Sequence, residues 1–420
     1  MLFGKPLLRD STQHTPLACS CPFHPIPALT MNHTALPSDH SQACLIGRLW
    51  QPGLGPTLVS IHAGQVFDLS ALAATSSQLL ELPQTASQVR QFIASGLAPA
   101  LADTASVLKN SDESQRNASA PWLMAPCDLQ AIKASGVTFV ASMLERVIEE
   151  QARGDASKAE AVRQAVVAVI GDNLRSVQPG SPESAKLKEV LLAQGMWSQY
   201  LEVGIGPDAE IFTKSQPMSA IGTGALAGIH PGSQWNNPEP EIVLAVNSRG
   251  EVVGASLGND VNLRDFEGRS ALLLGKAKDN NASCAIGPFI RLFDEHFGID
   301  DVRQCDLSLK VQGPEGFVMQ GSSSLSQISR DPLNLVSQAM GPCHQYPDGM
   351  MLFLGTMFAP TQDRHGPGQG FTHVVGDVVS VSTPQLGTLT NTITTSDQAA
   401  PWTYGICALM RDLAKRGLLA

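Results

Sequence analysis

The sequence of 420 residues has little charge and no long uninterrupted run of apolar residues. Charged residues make up 16% of the chain, and 28 Lys and Arg stand against 38 Asp and Glu, a formal net charge of −10. Binding to nucleic-acid phosphates requires clustered Lys and Arg, so this balance argues against a nucleic-acid partner. No stretch approaches the roughly 20 apolar residues of a membrane-spanning helix. We therefore expect a soluble, cytoplasmic protein with no membrane partner.

Cysteine is also sparse and irregularly spaced. The eight cysteines include no CxxC pair, unlike those of zinc ribbons or disulfide-rich scaffolds. We expect reduced thiols that serve mainly in core packing. The hydrophobic fraction of 43%, by contrast, is ample for a folded core and excludes a disordered chain. At the usual domain size of roughly 100–200 residues, the length predicts two or so folded units.

The character of the chain changes along its length, which predicts an α+β protein in three segments. Residues 1–40 lack periodicity, and we expect a flexible N-terminal tail. Short β-rich runs separated by turns follow, so residues 41–125 predict a small N-terminal α+β domain. Residues 126–420 predict a larger second domain. In it, helices dominate from 138 to 196, strands and glycine-bearing loops follow, and a helix closes the chain near 402–416.

Three acidic side chains come together in one predicted β-hairpin. Glu239 and Glu241 lie two positions apart in its first run, so both point to one face of the sheet. If the turn places Val246 opposite Glu251, Asp260 at the end of the second run lies on that same face. A one-residue bulge would reverse this parity.

Three carboxylates on one sheet face repel one another unless a cation joins them. Oxygen ligands without His or Cys suit Mg²⁺, Mn²⁺ or Ca²⁺ rather than zinc. Mg²⁺ held by few protein ligands keeps positions open for water or for a chelating substrate. The alternative is a solvent-facing acidic hairpin, which is how most Glu-x-Glu pairs in strands are explained.

The second domain contains an ordered set of short motifs. They are Glu239–Glu241, Gly258–Asp265, Gly275–Lys278, Ala282–Pro288, Leu354–Thr356 and Gly376–Asp377. Taken in this order, they resemble the signature of the fumarylacetoacetate hydrolase superfamily. The resemblance covers roughly residues 200–400 and implies a catalytic domain of mixed β-sandwich-roll type, a Mg²⁺ site and a homodimer or dimer of dimers. It also implies that Glu239, Glu241 and Asp260 are the metal ligands.

The same resemblance implies catalytic residues. It places Lys278 in the active site, where a lysine beside a keto acid would stabilise a carboxylate or oxyanion, or move a proton if its pKa is depressed. A surface lysine is the alternative. Hydrolytic relatives carry a His and a Glu on a mobile helix over the metal. Here Glu145 is kept and Ser142, an expected substrate contact, replaces the His, which argues against hydrolysis of a C–C bond. Glu267 stands where many relatives have Gln and suits hydroxyl recognition or acid–base work.

Four more residues are expected to contact the substrate by the same resemblance. Lys214 follows a predicted strand where relatives carry a substrate-facing lysine. Ser323 lies in a hydroxyl-rich turn, and hydroxyls there suit carboxylate or sugar oxygens. Thr356 belongs to a Gly-Thr motif. Arg264 either contacts the substrate or forms a structural ion pair with Asp265.

The expected reaction follows from the metal. A 2-oxo acid chelates a divalent ion, which acts as a Lewis acid on the enolate formed when a C3 proton leaves. Runs 259–268 and 321–331 are most similar to the sugar-acid branch of the family, which implies dehydration of a 2-keto-3-deoxy-D-pentonate to 2,5-dioxopentanoate, with Glu145 or Glu267 assisting departure of the C4 hydroxyl. The alternatives are an acylpyruvate or diketone hydrolase, an oxaloacetate decarboxylase, and an inactive metal- or keto-acid-binding oligomeric partner.

Overall fold

The computed structural model describes residues 35–136, 138–153, 155–161, 163–164, 177–193, 195, 197–358 and 360–419. Its strands are β1 Leu45–Gln51, β2 Gly55–His62, β3 Gln65–Asp68, β4 Ala100–Asp103, β5 Trp122–Met124, β6 Ala131–Ser135, β7 Ile211–Ser215, β8 Leu226–Ile229, β9 Asn236–Asn237, β10 Pro240–Val246, β11 Val252–Asp260, β12 Asn262–Leu263, β13 Cys284–Leu292, β14 Asp306–Gln312, β15 Val318–Ser324, β16 Met350–Phe353, β17 Val378–Thr383 and β18 Gly387–Thr395. Its α-helices are α1 Ser76–Leu80, α2 Thr85–Ala94, α3 Thr104–Asn110, α4 Val140–Gln151, α5 Pro182–Ala193, α6 Gln199–Ile205, α7 Arg264–Glu267, α8 Leu274–Lys278, α9 Ile299–Arg303, α10 Pro332–Ala339 and α11 Ile406–Lys415.

Two mixed sheets form the body of the described part of the chain. The larger sheet has the order β4-β3-β2-β1-β13-β11-β10-β16-β6-β7, with β5 also paired to β1. The second sheet has the order β15-β14-β17-β18-β8, and β9 and β12 form a short separate ribbon. Most strand pairs are antiparallel, while β6 with β16 and β8 with β18 are parallel. The predicted α+β class with a mixed-sheet core is confirmed.

The central strand β10 supplies side chains to two cores. It is buried along its whole length, as expected for a strand covered on both faces. Ile242 and Leu244 pack into the core between the two sheets. Val243 and Ala245 point the other way, toward helices α1 and α2. Burial on both faces fixes the strand, and with it the carboxylates at its N-terminal end.

The hairpin of β10 and β11 has a different register from the predicted one. Val246 pairs with Val252 rather than with Glu251, so that part of the prediction is wrong. A bulge follows, after which Ala245 pairs with Gly254. The bulge adds one residue to β11, and the turn adds one more. Together they restore the parity on which the common carboxylate face depends.

The N-terminal strands extend the larger sheet. Strand β1 pairs with β13, with Leu45 opposite Arg291. Ala35 is buried and Asp39 forms an ion pair with Arg291 at 2.6 Å, so the end of the segment predicted to be a flexible tail packs against the fold. Residues 1–34 lie outside the described residues. The division of the chain at residue 125 stays a prediction.

Helix α4 is held next to the sheets by its apolar side. Val147 and Ile148 are buried in a cluster that α6 completes. Met143 occupies the space over Gly204, where a Cβ would lie 2.5 Å from the Met143 Cε atom. This close approach of α4 to α6 presents the polar positions of α4 to the carboxylate face.

The described cysteines are free thiols, as predicted. Cys19 and Cys21 lie outside the described residues. The buried cysteines are Cys44, Cys127, Cys284 and Cys305, and the exposed ones are Cys343 and Cys407.

Over the ranges that the structure covers, no helix has both the length and the apolar character needed to cross a bilayer.

Candidate active site

Three carboxylates meet at one end of the β10–β11 hairpin. Glu239 directly precedes β10, Glu241 is the second residue of β10, and Asp260 ends β11. One carboxylate oxygen from each lies within 4.8 Å of the others, and each residue is at most 2% exposed. The Asp260 N–H donates to the Glu239 carbonyl at 3.0 Å, which fixes the two strands there. The burial excludes the solvent-facing hairpin, and we refer to these three side chains as the carboxylate triad.

The triad fits a divalent cation. Glu241 accepts a hydrogen bond from the Gly355 N–H at 2.7 Å. Burial, with Asp260 and Glu239 as neighbours, raises the pKa of Glu241 well above its ordinary value. Carboxylates packed together away from water are costly unless a cation neutralises them. The donor set is all oxygen, which Mg²⁺, Mn²⁺ and Ca²⁺ prefer.

Two buried lysines contact the triad. Lys278, the last residue of α8, places Nζ 2.5 Å from Oε2 of Glu239 and 3.2 Å from Oδ2 of Asp260. Lys214 on β7 places Nζ 3.0 Å from Oδ1 of Asp260 and donates to the Lys278 carbonyl. Burial opposes the charge of Lys278, but Asp260 and Glu239 outweigh it and raise its pKa above the ordinary value. The structure therefore brings both predicted lysines to the triad.

A chain of buried ion pairs, which the sequence reasoning missed, links Glu239 to helices α4 and α7. Arg146 on α4 donates to Glu239, and its Nη1 lies 2.7 Å from Oε2 of Glu149 and 3.1 Å from Oε2 of Glu267. Arg264 on α7 places Nε 3.2 Å from Oε1 of Glu149. Burial works against ionisation of Glu239, but Arg146 and Lys278 overcome it and lower its pKa to about 2.

The net charge of this network is compatible with a bound divalent ion and an anionic ligand. When all five carboxylates are ionised, they face four cationic side chains, and one negative charge is left over within the described network. A divalent ion would reverse that excess, and a monoanionic keto acid would then balance it. The carboxylates are Glu149, Glu239, Glu241, Asp260 and Glu267, and the cations are Arg146, Lys214, Arg264 and Lys278.

Glu210 is a second residue that the sequence reasoning missed. It directly precedes β7, and its carboxyl group lies over Gly136, where a Cβ would be 1.8 Å from Oε2. Although the residue keeps some exposed surface, burial and the nearby Glu267 raise the pKa of Glu210 to about 7. A carboxyl group with this pKa holds a proton over part of the neutral range. In the sequence, Glu210 could have been noticed because it lies four residues before Lys214.

Glu145 has a different environment from its neighbour Arg146. It forms an ion pair with Arg163, with Oε2 and Nη2 at 2.8 Å. Position 146 of the helix, rather than position 145, supplies the contact with the triad. The Ser142 side chain lies outside the described part of the structure. The catalytic role of Glu145 and the substrate contact of Ser142 stay predictions.

Arg264 does not form the alternative ion pair with Asp265. Its ion-pair partner is Glu149, and its Nε also donates to Asn237 Oδ1 at 2.8 Å. Asp265 instead accepts a hydrogen bond from the Ser233 hydroxyl at 2.7 Å. The arginine turns toward α4 because α7 begins at Arg264, directly after β12, which pairs with β9 beside Asn237.

Thr356 lies three residues after the end of β16, and Ser323 lies on β15. Thr356 is buried and follows Gly355, the residue that donates to Glu241. Ser323 lies on β15 opposite Leu307 and is partly exposed. Their substrate contacts stay predictions.

Comparison with known proteins shows what this fold and site resemble. Residues 209–394 match the family described as "Fumarylacetoacetate (FAA) hydrolase C-terminal". This segment contains the triad, both lysines, Glu210, Arg264 and Glu267. Over this segment, which is less than half of the chain, the protein is similar to the fumarylacetoacetate hydrolase family.

Two curated relatives share sequence with this chain. A "Probable 2-keto-3-deoxyxylonate dehydratase" of Haloferax volcanii is 28% identical over 200 residues, which are 48% of this chain and 65% of the relative. A "2-dehydro-3-deoxy-D-arabinonate dehydratase" of Saccharolobus solfataricus is 28% identical over 180 residues, 43% of this chain and 57% of the relative. The matches thus span less than two thirds of either relative.

Solved structures share the fold. A 2-keto-3-deoxy-D-arabinonate dehydratase in its apo form has a TM-score of 0.57 and 21% identity over 84% of this chain and 99% of that one. The structure of a 2-keto-3-deoxy-D-arabinonate dehydratase "complexed with magnesium and 2,5-dioxopentanoate" also has a TM-score of 0.57, with 20% identity over 84% and 99% of the two chains. The predicted fumarylacetoacetate hydrolase fold is confirmed.

Proposed function

We propose that this protein is a Mg²⁺-dependent hydro-lyase that converts a 2-keto-3-deoxy-D-pentonate to 2,5-dioxopentanoate. The observation that carries the proposal is the buried carboxylate triad with Lys278 against two of its members. Both curated relatives are named as dehydratases of 2-keto-3-deoxy sugar acids, which supports this reaction over others of the family. The replacement of the water-activating His by Ser142 also disfavours hydrolysis.

The triad would hold the cation, and Mg²⁺ is the ion we propose. When bound, a divalent cation supplies Lewis-acid stabilisation for the enolate of a 2-oxo acid. Lys278, charged and buried, adds a fixed positive group where negative charge develops at C2. Because Asp260 and Glu239 raise the pKa of Lys278, the lysine stays protonated and is not the base that takes the C3 proton. Lys214 holds Asp260 and the Lys278 backbone in place.

Departure of the C4 hydroxyl requires a proton donor, for which the structure adds a candidate. Glu267 forms an ion pair with Arg146, and Glu145 forms one with Arg163. Glu210 has a raised pKa, which suits a group that gives a proton to the leaving hydroxyl. Loss of the C3 proton and the C4 hydroxyl releases water and leaves an enone. Movement of a proton from C5 to C3 gives an enol, which becomes the aldehyde.

The test is direct turnover. The purified protein is incubated with Mg²⁺ and 2-keto-3-deoxy-D-pentonate, and the semialdehyde product is quantified. Parallel reactions with acylpyruvates and with oxaloacetate are assayed for released pyruvate. We expect semialdehyde from the first reaction and little pyruvate from the others. Absence of semialdehyde at excess substrate and metal would end the proposal, and pyruvate release would replace it with hydrolysis or decarboxylation.

The remaining expectations belong to the same proposal. They are a homodimer or dimer of dimers, a cytoplasmic location, a role in pentose breakdown and substrate contacts by Ser142, Lys214, Arg264, Ser323 and Thr356. Light scattering coupled to size exclusion measures the first. Each substrate contact is tested by the KM of its alanine variant.

A further inference from the structure

Both carboxylate oxygens of Glu239 are already engaged by cationic side chains. Arg146 donates to Oε1, and Lys278 lies 2.5 Å from Oε2. A divalent ion that uses Glu239 as a ligand needs one of these oxygens. It must therefore displace one of the two side chains or share an oxygen with it, which brings like charges together.

Arg146 is the partner that can release Glu239 at the lower cost. Its other terminal nitrogen, Nη1, contacts Glu149 at 2.7 Å and Glu267 at 3.1 Å. These two contacts remain when Nη2 leaves Glu239, so the guanidinium is not left as an unpaired buried charge. Lys278 depends on Glu239 and Asp260, both of them members of the triad.

The same guanidinium fastens helix α4 over the site. Glu149 lies on α4 itself, three residues from Arg146, whereas Glu239 precedes β10 and Glu267 lies on α7. The contact between Arg146 and Glu239 is thus a direct tie from α4 to the triad. The tie to α7 is separate and is reinforced by the pair of Arg264 with Glu149 at 3.2 Å.

We propose that Arg146 is a positioning residue that competes with the divalent cation for Glu239, so that metal binding releases the tie between α4 and the triad. The proposal rests on the metal site of the proposed function, but not on the identity of the substrate. Arg146 thus acquires a role in the site, whereas the family resemblance had implied a role for the preceding residue, Glu145.

The test is the affinity for Mn²⁺ without substrate, measured by calorimetry. Arg146→Met removes the competitor and one nearby positive charge, so we expect Mn²⁺ to bind at least about tenfold more tightly. Arg146→Lys keeps the charge but not the planar fork, and a smaller gain of roughly threefold is expected. The matched control is Arg163→Met, which removes an arginine paired with Glu145 and should stay within about twofold of wild type.

A second measurement follows the helix directly. Amide hydrogen exchange of α4 is compared with and without Mn²⁺. Exchange should rise in wild type on metal binding and should change little in Arg146→Met. If Arg146→Met does not fold, the Mn²⁺ affinity and the hydrogen exchange are both measured on Arg146→Lys.

The outcomes separate the two proposals. Unchanged or weaker Mn²⁺ binding by the folded Arg146 variants overturns the competition. Wild-type protein that does not bind Mn²⁺ overturns the metal centre and this inference together. Wild type that binds Mn²⁺ but lacks dehydratase activity overturns the proposed reaction alone.

Discussion

The ammonium group of Lys278 lies against two members of the carboxylate triad, 2.5 Å from Glu239 and 3.2 Å from Asp260. Lys278 reaches them from the end of a five-residue helix, α8, and is 2% exposed. A buried lysine held charged by two carboxylates is a fixed electrostatic group rather than a mobile surface charge. This arrangement makes Lys278 the first residue to test.

We expect Lys278→Met to lower kcat/KM by at least about 10³-fold, because the variant loses charge stabilisation where the reaction builds negative charge. Mn²⁺ binding should be retained or improved, since a positive neighbour of the triad is gone. Steady-state kinetics and calorimetry measure the two effects. Lys276→Met is the control, because Lys276 is exposed on the same helix. Activity of Lys278→Met near the wild-type level would show that the lysine is structural.

Replacement of Glu241 tests the metal centre. Glu241→Gln keeps the side-chain shape and the acceptor for the Gly355 N–H but removes one charged ligand. Mn²⁺ affinity should fall by roughly 100-fold or more, and the thermal shift that Mn²⁺ gives wild type should disappear. Glu251→Gln, on the exposed turn of the same hairpin, is the control and should bind Mn²⁺ like wild type. Equal Mn²⁺ affinity in the two variants would argue against Glu241 as a ligand.

Glu210→Gln tests the proposed proton donor. A donor with a pKa of about 7 is active in its protonated form, so wild-type kcat should fall as the pH rises through 7. The variant should lose this dependence and about 10²–10⁴-fold of kcat. Asp208→Asn, an exposed neighbour, is the control. An unchanged pH profile in Glu210→Gln would assign the proton to another group.

Glu210→Gln should also change the stability of the protein, in a direction that depends on pH. The raised pKa of Glu210 means that folding disfavours its charged form. The unfolded chain releases this proton at a lower pH than the folded chain. Glu210 therefore lowers the free energy of unfolding increasingly as the pH rises from its unfolded pKa to about 7. Above pH 7 the loss of stability stays constant. Glu210→Gln should therefore be more stable than wild type at pH 8 and little changed at pH 4, by chemical denaturation at both pH values.

The common direction of Glu239 and Glu241 could be predicted because it depends on strand alternation. The alternation at Glu239 and Glu241 holds in any strand. The position of Asp260 was less secure, since the predicted partner of Val246 was wrong and the bulge compensated for it. Bulges depend on how the neighbouring strands pack, here β13 and β16, and a hairpin sequence read alone does not contain that information.

Arg146 and Glu149 could not be predicted to lie in the site for a different reason. Spaced three apart on a helix, an Arg and a Glu are the usual pattern of a solvated ion pair. Only the packing of α4 on α6, through Met143 and Gly204, turns their side toward the triad. Glu210 was missed because a single Glu before a strand has no periodic signal, and its environment is set by distant Gly136 and Glu267.

Gly355 links the backbone to the carboxylate triad through Glu241, which gives a last prediction. Its φ of +100° disfavours any side chain, and a Cβ there would lie 2.0 Å from the Thr138 hydroxyl oxygen. Its N–H also holds Glu241 at 2.7 Å. We expect Gly355→Ala to lower the free energy of unfolding by roughly 2–4 kcal/mol, from left-handed strain and the clash.

Gly368→Ala is the matched control, because Gly368 has a φ of +73° with nothing within 4 Å of a Cβ. It should lose only about 1 kcal/mol and keep its Mn²⁺ affinity. If the geometry at Gly355 sets the position of Glu241, calorimetry will show at least about tenfold weaker Mn²⁺ binding in Gly355→Ala alone. Equal losses of stability and equal Mn²⁺ affinities in the two variants would mean that Glu241 is positioned without this peptide.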